Sequence, residues 1–311
     1  MKLIINIPCY NEEETIERVI KDLPKKITGI SQIKVQVIDD GSQDRTGEIA
    51  KKCGAQVIQH AVNRGLGEAF KTGMKAALEK GADIMVNTDA DHQYPGKYIP
   101  ALVYEILHNK ADLVIGNRQP WKVKYFSIVK RIFQWFGNMV VRRLIGTKVQ
   151  DTVSGFRAYS KNALLHINVT TKFSYVLDTI VQSVKKGLKI VEIPIDTNPP
   201  TRDSRLFKNI FHHMYKSGLS MLRVSVIYEP FKTFMFFGVL FSIPAILLIL
   251  RFLYFYFTGD GSGHIQSLVI AVFIFSGSGF FIVIAIVAGL IGVNRKIIED
   301  HYNQYKKQIY D

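Results

Sequence analysis

Short apolar runs alternate with longer amphipathic stretches over about the first 195 residues of the chain. Five of the apolar runs predict buried strands, at residues 3–8, 35–39, 55–59, 84–88 and 113–116. The stretches between them, such as 12–23 and 65–80, carry apolar residues at helical spacing. Because buried strands that alternate with helices form a mostly parallel sheet covered on both faces, the pattern predicts an α/β domain.

The C-terminal third is apolar in a different way. Residues 233–250 form an uncharged run, residues 265–293 form a longer one, and a polar stretch at 259–264 joins them. Each run is long enough to cross a bilayer as a helix, although a buried core helix has a similar composition. Two such runs favour a transmembrane hairpin, which explains why 48% of the residues are hydrophobic in a chain with a net charge of +14.

Basic residues flank this hairpin on one side only. The joining loop contains no Lys or Arg, whereas Arg223 and Lys232 precede the first run and Arg295 and Lys296 follow the second. Since cytoplasmic flanks are enriched in Lys and Arg, we expect a multi-pass protein of the cell membrane with both termini in the cytoplasm. The expected organisation is a cytoplasmic domain at 1–205, a juxtamembrane amphipathic helix at 206–230, two transmembrane helices at 231–293 and a cytoplasmic tail at 294–311.

Two further stretches, 121–144 and 206–228, combine basic residues with apolar residues at helical spacing. Such helices lie in the headgroup layer of a membrane and are attracted to anionic lipids. For the first stretch, a helix that packs its apolar face on the domain core explains the pattern equally well. The excess positive charge is also compatible with nucleic acid, but the chain has no matching recognition motif, so we expect membrane contact and no nucleic-acid partner.

Polar clusters follow four of the five predicted strands, at residues 8–12, 39–44, 63–67 and 87–93. Taken singly, each has a structural explanation as a helix cap, a turn or a tight glycine contact. Since ligands bind beyond the carboxyl ends of the strands in such sheets, four clusters at one edge favour a binding site. No Gly-x-Gly-x-x-Gly follows the first strand and no Gly-Lys-Ser/Thr occurs, which argues against a dinucleotide or ATP-hydrolysis site.

The fourth cluster contains three residues with oxygen ligands, Asp89, Asp91 and Gln93, spaced two apart. On extended backbone these side chains point the same way, so they are the candidate ligands of one Mg²⁺ or Mn²⁺ ion. The alternative is a turn before a helix, which the Pro-Gly pair just downstream indicates. On the same argument His92 faces away from the metal and is left out of the site.

Five motifs follow one another along the chain. They are Pro-x-Tyr-Asn-Glu from Pro8, Asp-Asp-Gly-Ser-x-Asp from Asp39, Asn-x-Gly-x-Gly from Asn63, Asp-x-Asp-x-Gln from Asp89 and Asp-x-x-Ser-Gly-Phe-Arg from Asp151. Their order resembles that of family 2 inverting glycosyltransferases with the Rossmann-like GT-A fold. It most resembles the branch of dolichyl-phosphate mannose synthase and polyprenyl-phosphate glucosyltransferases. The resemblance covers residues 3 to about 205, and the C-terminal hairpin suits members with two membrane helices.

The resemblance implies roles for individual residues. Those implied to bind the nucleotide-sugar donor are Pro8, Tyr10, Glu12, Asp39, Asp40, Gly41, Asp89, Ala90, Ser154, Gly155, Arg202 and Arg205. Asp39 would be directed at the base. Arg202 and Arg205 resemble a basic loop that closes over the diphosphate, a task that suits guanidinium groups, although a hinge with solvated charges is the alternative.

The implied reaction is transfer of one sugar from a UDP- or GDP-sugar to a polyprenyl phosphate, either dolichyl or undecaprenyl, at the cytoplasmic face of the membrane. The residues implied to act in catalysis are Asp91, Asp151, Arg118 and Arg131, and the two arginines would bind the lipid phosphate, with Lys130 as an alternative to Arg131. A phosphate monoester is largely dianionic at neutral pH, its second pKa being about 6, so no separate strong base is required.

Two other functions stay open. Transfer to another lipid such as diacylglycerol would need a general base, for which Asp151 is a candidate. A non-catalytic membrane scaffold of the same fold would be expected to lose its metal ligands, yet all three are present. A processive polysaccharide synthase is disfavoured because no Gln-x-x-Arg-Trp motif occurs. The transmembrane helices also offer a surface for a homo-oligomer.

Overall fold

The computed structural model describes residues 1–121, 128–169, 175–199, 218–219, 222–223 and 225–310, without the side chains of residues 128–130, 133 and 144. The chain forms two compact units. One consists of Met1–Lys208 together with Asn303–Asp311, and the other consists of Asn209–Tyr302.

A sheet runs through the first unit, and seven strands of it lie in the described residues. The strands are β1 (Lys2–Cys9), β2 (Gln32–Asp39), β3 (Gln56–Gln59), β4 (Ile84–Asn87), β5 (Leu113–Asn117), β6 (Arg157–Ser160) and β7 (Ile190–Pro194). Their order across the sheet is β3-β2-β1-β4-β6-β5-β7. Strand β6 is antiparallel to both of its neighbours and the other pairs are parallel, so the carboxyl ends of β2, β1 and β4 meet at one edge.

Helices cover both faces of this sheet. They are α1 (Ile16–Asp22), α2 (Thr46–Lys52), α3 (Leu66–Glu79), α4 (Ile99–Leu107), α5 (Ile128–Ile145), α6 (Lys161–His166) and α7 (Tyr175–Lys185), with a 3₁₀ turn at Gly96–Tyr98. Side chains alternate between the two faces of a strand, so Ile5 and Ile7 of β1 enter one apolar core while Ile4 enters the other. The five predicted strands are confirmed. Strands β6 and β7 were not predicted from the sequence. Strand β6 is only four residues long and contains the polar residues Arg157 and Ser160, so it has little of the apolar pattern of a buried strand.

The second unit contains the apolar helix α8 (Pro230–Phe257) and most of α9 (Ile265–Tyr310). Both are long and apolar enough to cross a membrane, and only 17% of the most apolar part of each is buried. A core helix of a soluble domain would be mostly buried, so the exposure favours the predicted membrane helices. The helices touch closely where Ser278 donates to the carbonyl of Gly238 at 2.7 Å, since a small residue lets two backbones approach.

Helix α9 continues well beyond its apolar run. The run predicted from the sequence ends at residue 293, whereas the helix ends at Tyr310 and its residues from Asn303 onward belong to the first unit. There Asn168 donates to Asn303 at 2.7 Å, and the ammonium of Lys306 donates to the carbonyls of Leu164 and Ile167. The end of the chain is therefore packed on the large unit rather than solvated on all sides.

Candidate functional site

The turns that follow β1 and β2 are joined by hydrogen bonds. The backbone N–H of Asn11 donates to Ser42 Oγ at 2.9 Å, and the N–H of Glu12 donates to Thr46 Oγ1 at 2.7 Å. In return Asn11 Oδ1 accepts from the N–H of Gln43 at 2.9 Å. Asn11 adopts a left-handed backbone with φ of +54°, which Asn tolerates better than most residues. Two of the predicted clusters thus form one wall of a site.

Asp39 lies at the base of this wall and is 1% exposed. Its Oδ1 accepts from the N–H of Ser42 at 2.9 Å. Its Oδ2 is buried and has no hydrogen-bond partner among the described residues. A buried acceptor without a donor costs about 1–3 kcal/mol, and a ligand that brings an N–H would remove that cost.

Asp40 has a different role from its neighbour. Its two carboxylate oxygens accept from the backbone N–H groups of Arg64 and Gly65, at 2.9 and 2.8 Å, and Oδ1 lies 2.7 Å from Nδ1 of the buried His60. A Cβ on Gly41 would lie 2.6 Å from the carbonyl carbon of Val62, so only glycine fits at φ of +77°. Asp40 and Gly41 therefore hold residues 63–67 against the turns that follow β1 and β2. The contact of His60 with Asp40 was not predicted, although a polar residue directly after a predicted strand could have indicated a place at the site.

The candidate metal ligands follow β4, but not on extended backbone. Strand β4 ends at Asn87, residues 90 and 91 form a turn, and His92 has φ of +60°. The alternation of side chains expected for extended backbone therefore does not apply to Asp89, Asp91 and Gln93. The ring of His92 lies beside the carboxylate of Asp22, with Nε2 3.7 Å from Asp22 Oδ2.

The chemistry of Asp89 and Asp91 fits a divalent cation. Burial and the negative charge of Asp91 raise the pKa of Asp89 above its usual range, and a bound cation would relieve both effects. No group of three or more His, Cys, Asp or Glu that could hold a metal is found in the described part of the chain. Two carboxylates completed by ligand oxygens suit Mg²⁺, which is often bound through one or two carboxylates and substrate phosphates. The backbone N–H of Gln93 donates to Asp91 Oδ1 at 3.1 Å, and the ligand role of the Gln93 side chain stays a prediction.

Arg118 and Asp151 form a bidentate ion pair. Arg118 Nε and Nη2 donate to the two carboxylate oxygens of Asp151, both at 2.8 Å. Asp151 is fully buried, and its backbone N–H donates to Glu192 at 2.9 Å. Burial would raise the pKa of Asp151, but the guanidinium of Arg118 outweighs it and holds that pKa below its usual range. An ionised, paired carboxylate of this kind is a weak general base.

The remaining predicted residues are placed as follows. Pro8 is buried in β1, Tyr10 is 39% exposed, Glu12 accepts from Thr15 Oγ1 at 3.0 Å, Ala90 is buried, and Arg131 is partly exposed on α5. The hydroxyl of Ser154 is buried without a partner in the described residues. A Cβ on Gly155 would lie 2.9 Å from Asp89 Oδ1, so this glycine lets the loop approach the metal ligand. Arg202, Arg205 and the side chain of Lys130 lie outside the described residues.

The contacts of three buried polar residues beneath the site were not predicted. Arg157 is fully buried and donates to the carbonyls of Ser154 and Val176, at 2.8 and 2.7 Å. It therefore holds the loop that contains Gly155. Across the sheet, Asn6 donates to Asn87 at 2.8 Å, at paired positions of β1 and β4. Polar residues inside apolar strands were the available signal for this pair.

Comparisons with known proteins identify the family of this chain. A model described as Glycosyl transferase family 2 matches residues 4–167. The undecaprenyl-phosphate mannosyltransferase of Micrococcus luteus is 29% identical over 206 residues, which cover 63% of this chain and 83% of that protein. The UDP-N-acetylglucosamine–dolichyl-phosphate N-acetylglucosaminyltransferase of Methanococcus voltae is 30% identical over 213 residues, which cover 61% of this chain and 83% of that protein.

A solved structure shows the fold. Glucosyl-3-phosphoglycerate synthase from Mycobacterium tuberculosis, crystallised with Mn²⁺, UDP and glucosyl-3-phosphoglycerate, superimposes with a TM-score of 0.56 at 21% identity and covers 72% of this chain and 78% of that chain. The likeness confirms the predicted GT-A fold. The match of the family model over more than half of the chain identifies the protein as a member of glycosyl transferase family 2.

Proposed function

We propose that this protein transfers one sugar from a nucleotide-sugar to the phosphate of a polyprenyl lipid, at the cytoplasmic face of a membrane and with inversion at the sugar. Support comes from the family, from relatives named for undecaprenyl-phosphate and dolichyl-phosphate transfer, and from two apolar helices that could hold the enzyme where such a lipid resides. The catalytic domain and both termini would face the cytoplasm, in accord with the basic flanks of the hairpin.

The main support for a donor site is the buried Oδ2 of Asp39. It has no donor among the described residues and lies at the carboxyl edge of the sheet. Uracil and guanine each carry a ring N–H that could donate to such an oxygen. Asp39 would therefore recognise the base of a UDP- or GDP-sugar, and because both bases carry such an N–H, Asp39 by itself would not discriminate between them.

Asp89 and Asp91 would hold Mg²⁺ or Mn²⁺ against the diphosphate of the donor, with Gln93 as a further predicted ligand. When bound, the ion supplies Lewis-acid stabilisation of the departing nucleoside diphosphate. The close approach of Gly155 to Asp89 keeps side-chain bulk out of this region. Arg202 and Arg205 would contribute further positive charge to the leaving group.

The acceptor would lie beside Arg118. Two of its three guanidinium nitrogens are engaged by Asp151, and no partner of Nη1 is found in the described residues. Nη1 is thus the edge that the lipid phosphate would contact, with Arg131 or Lys130 as the second basic group. A phosphate acceptor brings its own nucleophilic oxygen, whereas a lipid alcohol needs a base. The paired state of Asp151 makes it a poor base, so the geometry favours a phosphate over diacylglycerol.

The experiment is nucleotide release by the purified protein in lipid nanodiscs, measured with a panel of UDP- and GDP-sugars. Each donor is tested without acceptor, with undecaprenyl or dolichyl phosphate, and with diacylglycerol. We expect one donor to be turned over with the polyprenyl phosphate and a β-linked product from an α-linked donor. Turnover with diacylglycerol but not with either polyprenyl phosphate would contradict the proposed acceptor.

A further inference from the structure

The turn that carries the candidate metal ligands, residues 89–93, has an unfavourable backbone conformation. His92 lies in the left-handed region with φ of +60°, where its Cβ crowds the backbone. Glycine adopts this conformation without that penalty. A residue with a side chain keeps such a conformation only where surrounding contacts enforce it. Contacts from outside the turn are therefore expected to hold residues 89–93 in place.

Asn198 makes two of these contacts, although it lies 106 positions further along the chain than His92. Its side-chain Nδ2 donates to the carbonyl of His92 at 2.9 Å. Its backbone N–H donates to the carbonyl of Gln93 at 2.9 Å. One residue thus binds the two consecutive carbonyls that the left-handed turn exposes.

The same turn also has internal and lateral support. The N–H of Gln93 donates to Asp91 Oδ1 at 3.1 Å, which links the orientation of a candidate metal ligand to the backbone at 92 and 93. The ring of His92 lies beside Asp22. Asn198 is itself restrained, because Pro199 follows it and disfavours helical backbone at the residue before a proline. The backbone N–H and the side-chain amide of Asn198 are therefore held in place as two donors to the turn.

We propose that Asn198 is a positioning residue for the metal site, which fixes the left-handed backbone at His92 and thereby the orientation of Asp91. This inference rests on the proposed metal role of Asp89 and Asp91. Asn198 does not touch the metal ion or the donor. It acts on the turn in the way that outer hydrogen-bond partners orient first-sphere metal ligands.

The central test compares Mn²⁺ binding by wild type, Asn198→Ala and the double variant Asn198→Ala/His92→Gly. The full-length protein in nanodiscs is titrated with Mn²⁺, alone and with UDP or GDP, and free Mn²⁺ is followed by electron paramagnetic resonance. We expect Asn198→Ala to weaken Mn²⁺ binding by about 10-fold or more, the usual effect of losing an outer partner of a metal ligand. The double variant should recover most of that loss, because glycine adopts positive φ without being held.

Tyr98→Phe is the matched control. It removes the 2.7 Å hydrogen bond from Tyr98 to Asp196, two residues before Asn198, and leaves both contacts of Asn198 with the turn. We expect its Mn²⁺ binding to match that of wild type. In the metal-free protein, hydrogen exchange of the backbone amides at residues 91–94 should be faster in Asn198→Ala than in wild type or Tyr98→Phe.

The outcomes separate this inference from the proposed function. If wild type binds Mn²⁺ and Asn198→Ala binds it equally well with unchanged amide exchange, Asn198 has no positioning role while the metal site stands. If the double variant is as weak as Asn198→Ala, Asn198 does not act by holding the turn at His92. If wild type itself fails to bind Mn²⁺ with either nucleotide, both the metal role of Asp89 and Asp91 and the role of Asn198 are wrong.

Discussion

Asp39 and Asp151 are both buried carboxylates at the edge of the same sheet, yet their surroundings suit them to different tasks. Asp39 has one oxygen without a donor in the described residues, so it can receive a hydrogen bond from a ligand. Asp151 has both oxygens engaged by Arg118, which lowers its pKa and keeps it ionised. At the scale of the residue, the two aspartates therefore suit different functions, because among the described residues one has an oxygen that can still accept a hydrogen bond and the other has both oxygens engaged.

Replacing Asp39 by Ala should weaken donor binding. The substitution removes a charged acceptor whose hydrogen bond to a base N–H is worth about 1.5–3 kcal/mol, which corresponds to a loss of affinity of roughly 10- to 150-fold. Calorimetric titration with the donor that supports turnover measures it. Glu17→Gln serves as the control, since within the described residues exposed Glu17 forms an ion pair only with Lys21, on the same helix α1. Unchanged donor affinity in Asp39→Ala would remove Asp39 from the base site.

Replacing Asp91 by Asn should abolish most of the turnover without unfolding the protein. The substitution keeps the size of the side chain but removes one of the two negative charges that would neutralise the proposed ion, so we expect turnover to fall by at least about 100-fold. Turnover at saturating Mg²⁺ or Mn²⁺ and the melting temperature are measured together. Near-normal turnover that persists in EDTA would show that the metal site is wrongly assigned.

At the scale of elements, strands that are distant along the chain hold the site together. The end of β5 provides Arg118, the loop before β6 provides Asp151, and Glu192 of β7 accepts from the backbone of Asp151. The pairing lies across elements whose order in the sheet differs from their order in the sequence. A change at Arg118 should therefore alter stability and, if Arg118 binds the acceptor as proposed, acceptor binding as well.

Arg118→Ala should accordingly have two effects. Removing one partner of a buried ion pair leaves an uncompensated charge on Asp151 and destabilises the fold by about 3–5 kcal/mol. The double variant Arg118→Ala/Asp151→Asn should regain a large part of that stability, because the unpaired charge is gone. Both variants should still require more polyprenyl phosphate than wild type if Arg118 binds the acceptor. Melting temperatures and the acceptor dependence of turnover separate the effects, and a restored acceptor dependence in the double variant would contradict the role of Arg118.

The end of α9 allows a prediction about pH. Burial, and then the positive charge of Lys186, lower the pKa of Lys306 from 10.5 to about 7. Between these values the unfolded chain binds more protons at this site than the folded chain, so the contribution of Lys306 to stability rises with pH, by at most about 1.4 kcal/mol per unit. The melting temperature of wild type should therefore rise relative to that of Lys306→Met between pH 7 and 9. The exposed Lys307→Met, its neighbour, should show no such pH-dependent difference, and a flat difference for Lys306→Met would contradict the argument.

At the scale of the whole molecule, the basic flanks of the hairpin predict its orientation. A cysteine in place of Ser262 in the joining loop should react with an impermeant thiol reagent added outside intact cells, because that loop lacks Lys and Arg. A cysteine in place of the exposed Lys307 should react only after the membrane is opened. Asn303 is unsuitable for this purpose because it is buried and accepts from Asn168. The reverse labelling pattern would overturn the orientation.

The sequence by itself determined the parts of this protein that depend on local pattern. Five strands, the two long apolar helices and the order of the polar motifs follow from the spacing of apolar residues and from turn residues, which act over a few positions. The family and its GT-A fold were recognisable for the same reason, since the motifs are short and occur in a fixed order. Strand β6 was missed because four residues with an arginine at the first position carry almost no periodic signal.

Only the tertiary structure decided which residues meet. The pairing of Arg118 with Asp151, the fastening of Asp40 to His60 and the two contacts of Asn198 join residues that are 20 to 106 positions apart. Local pattern carries no information about such pairs, because they arise when several elements pack at once. The turn at Asp89 to Gln93 shows the consequence: extended backbone is the simplest expectation from the sequence, but packing against Asn198 and Asp22 supports a left-handed turn instead.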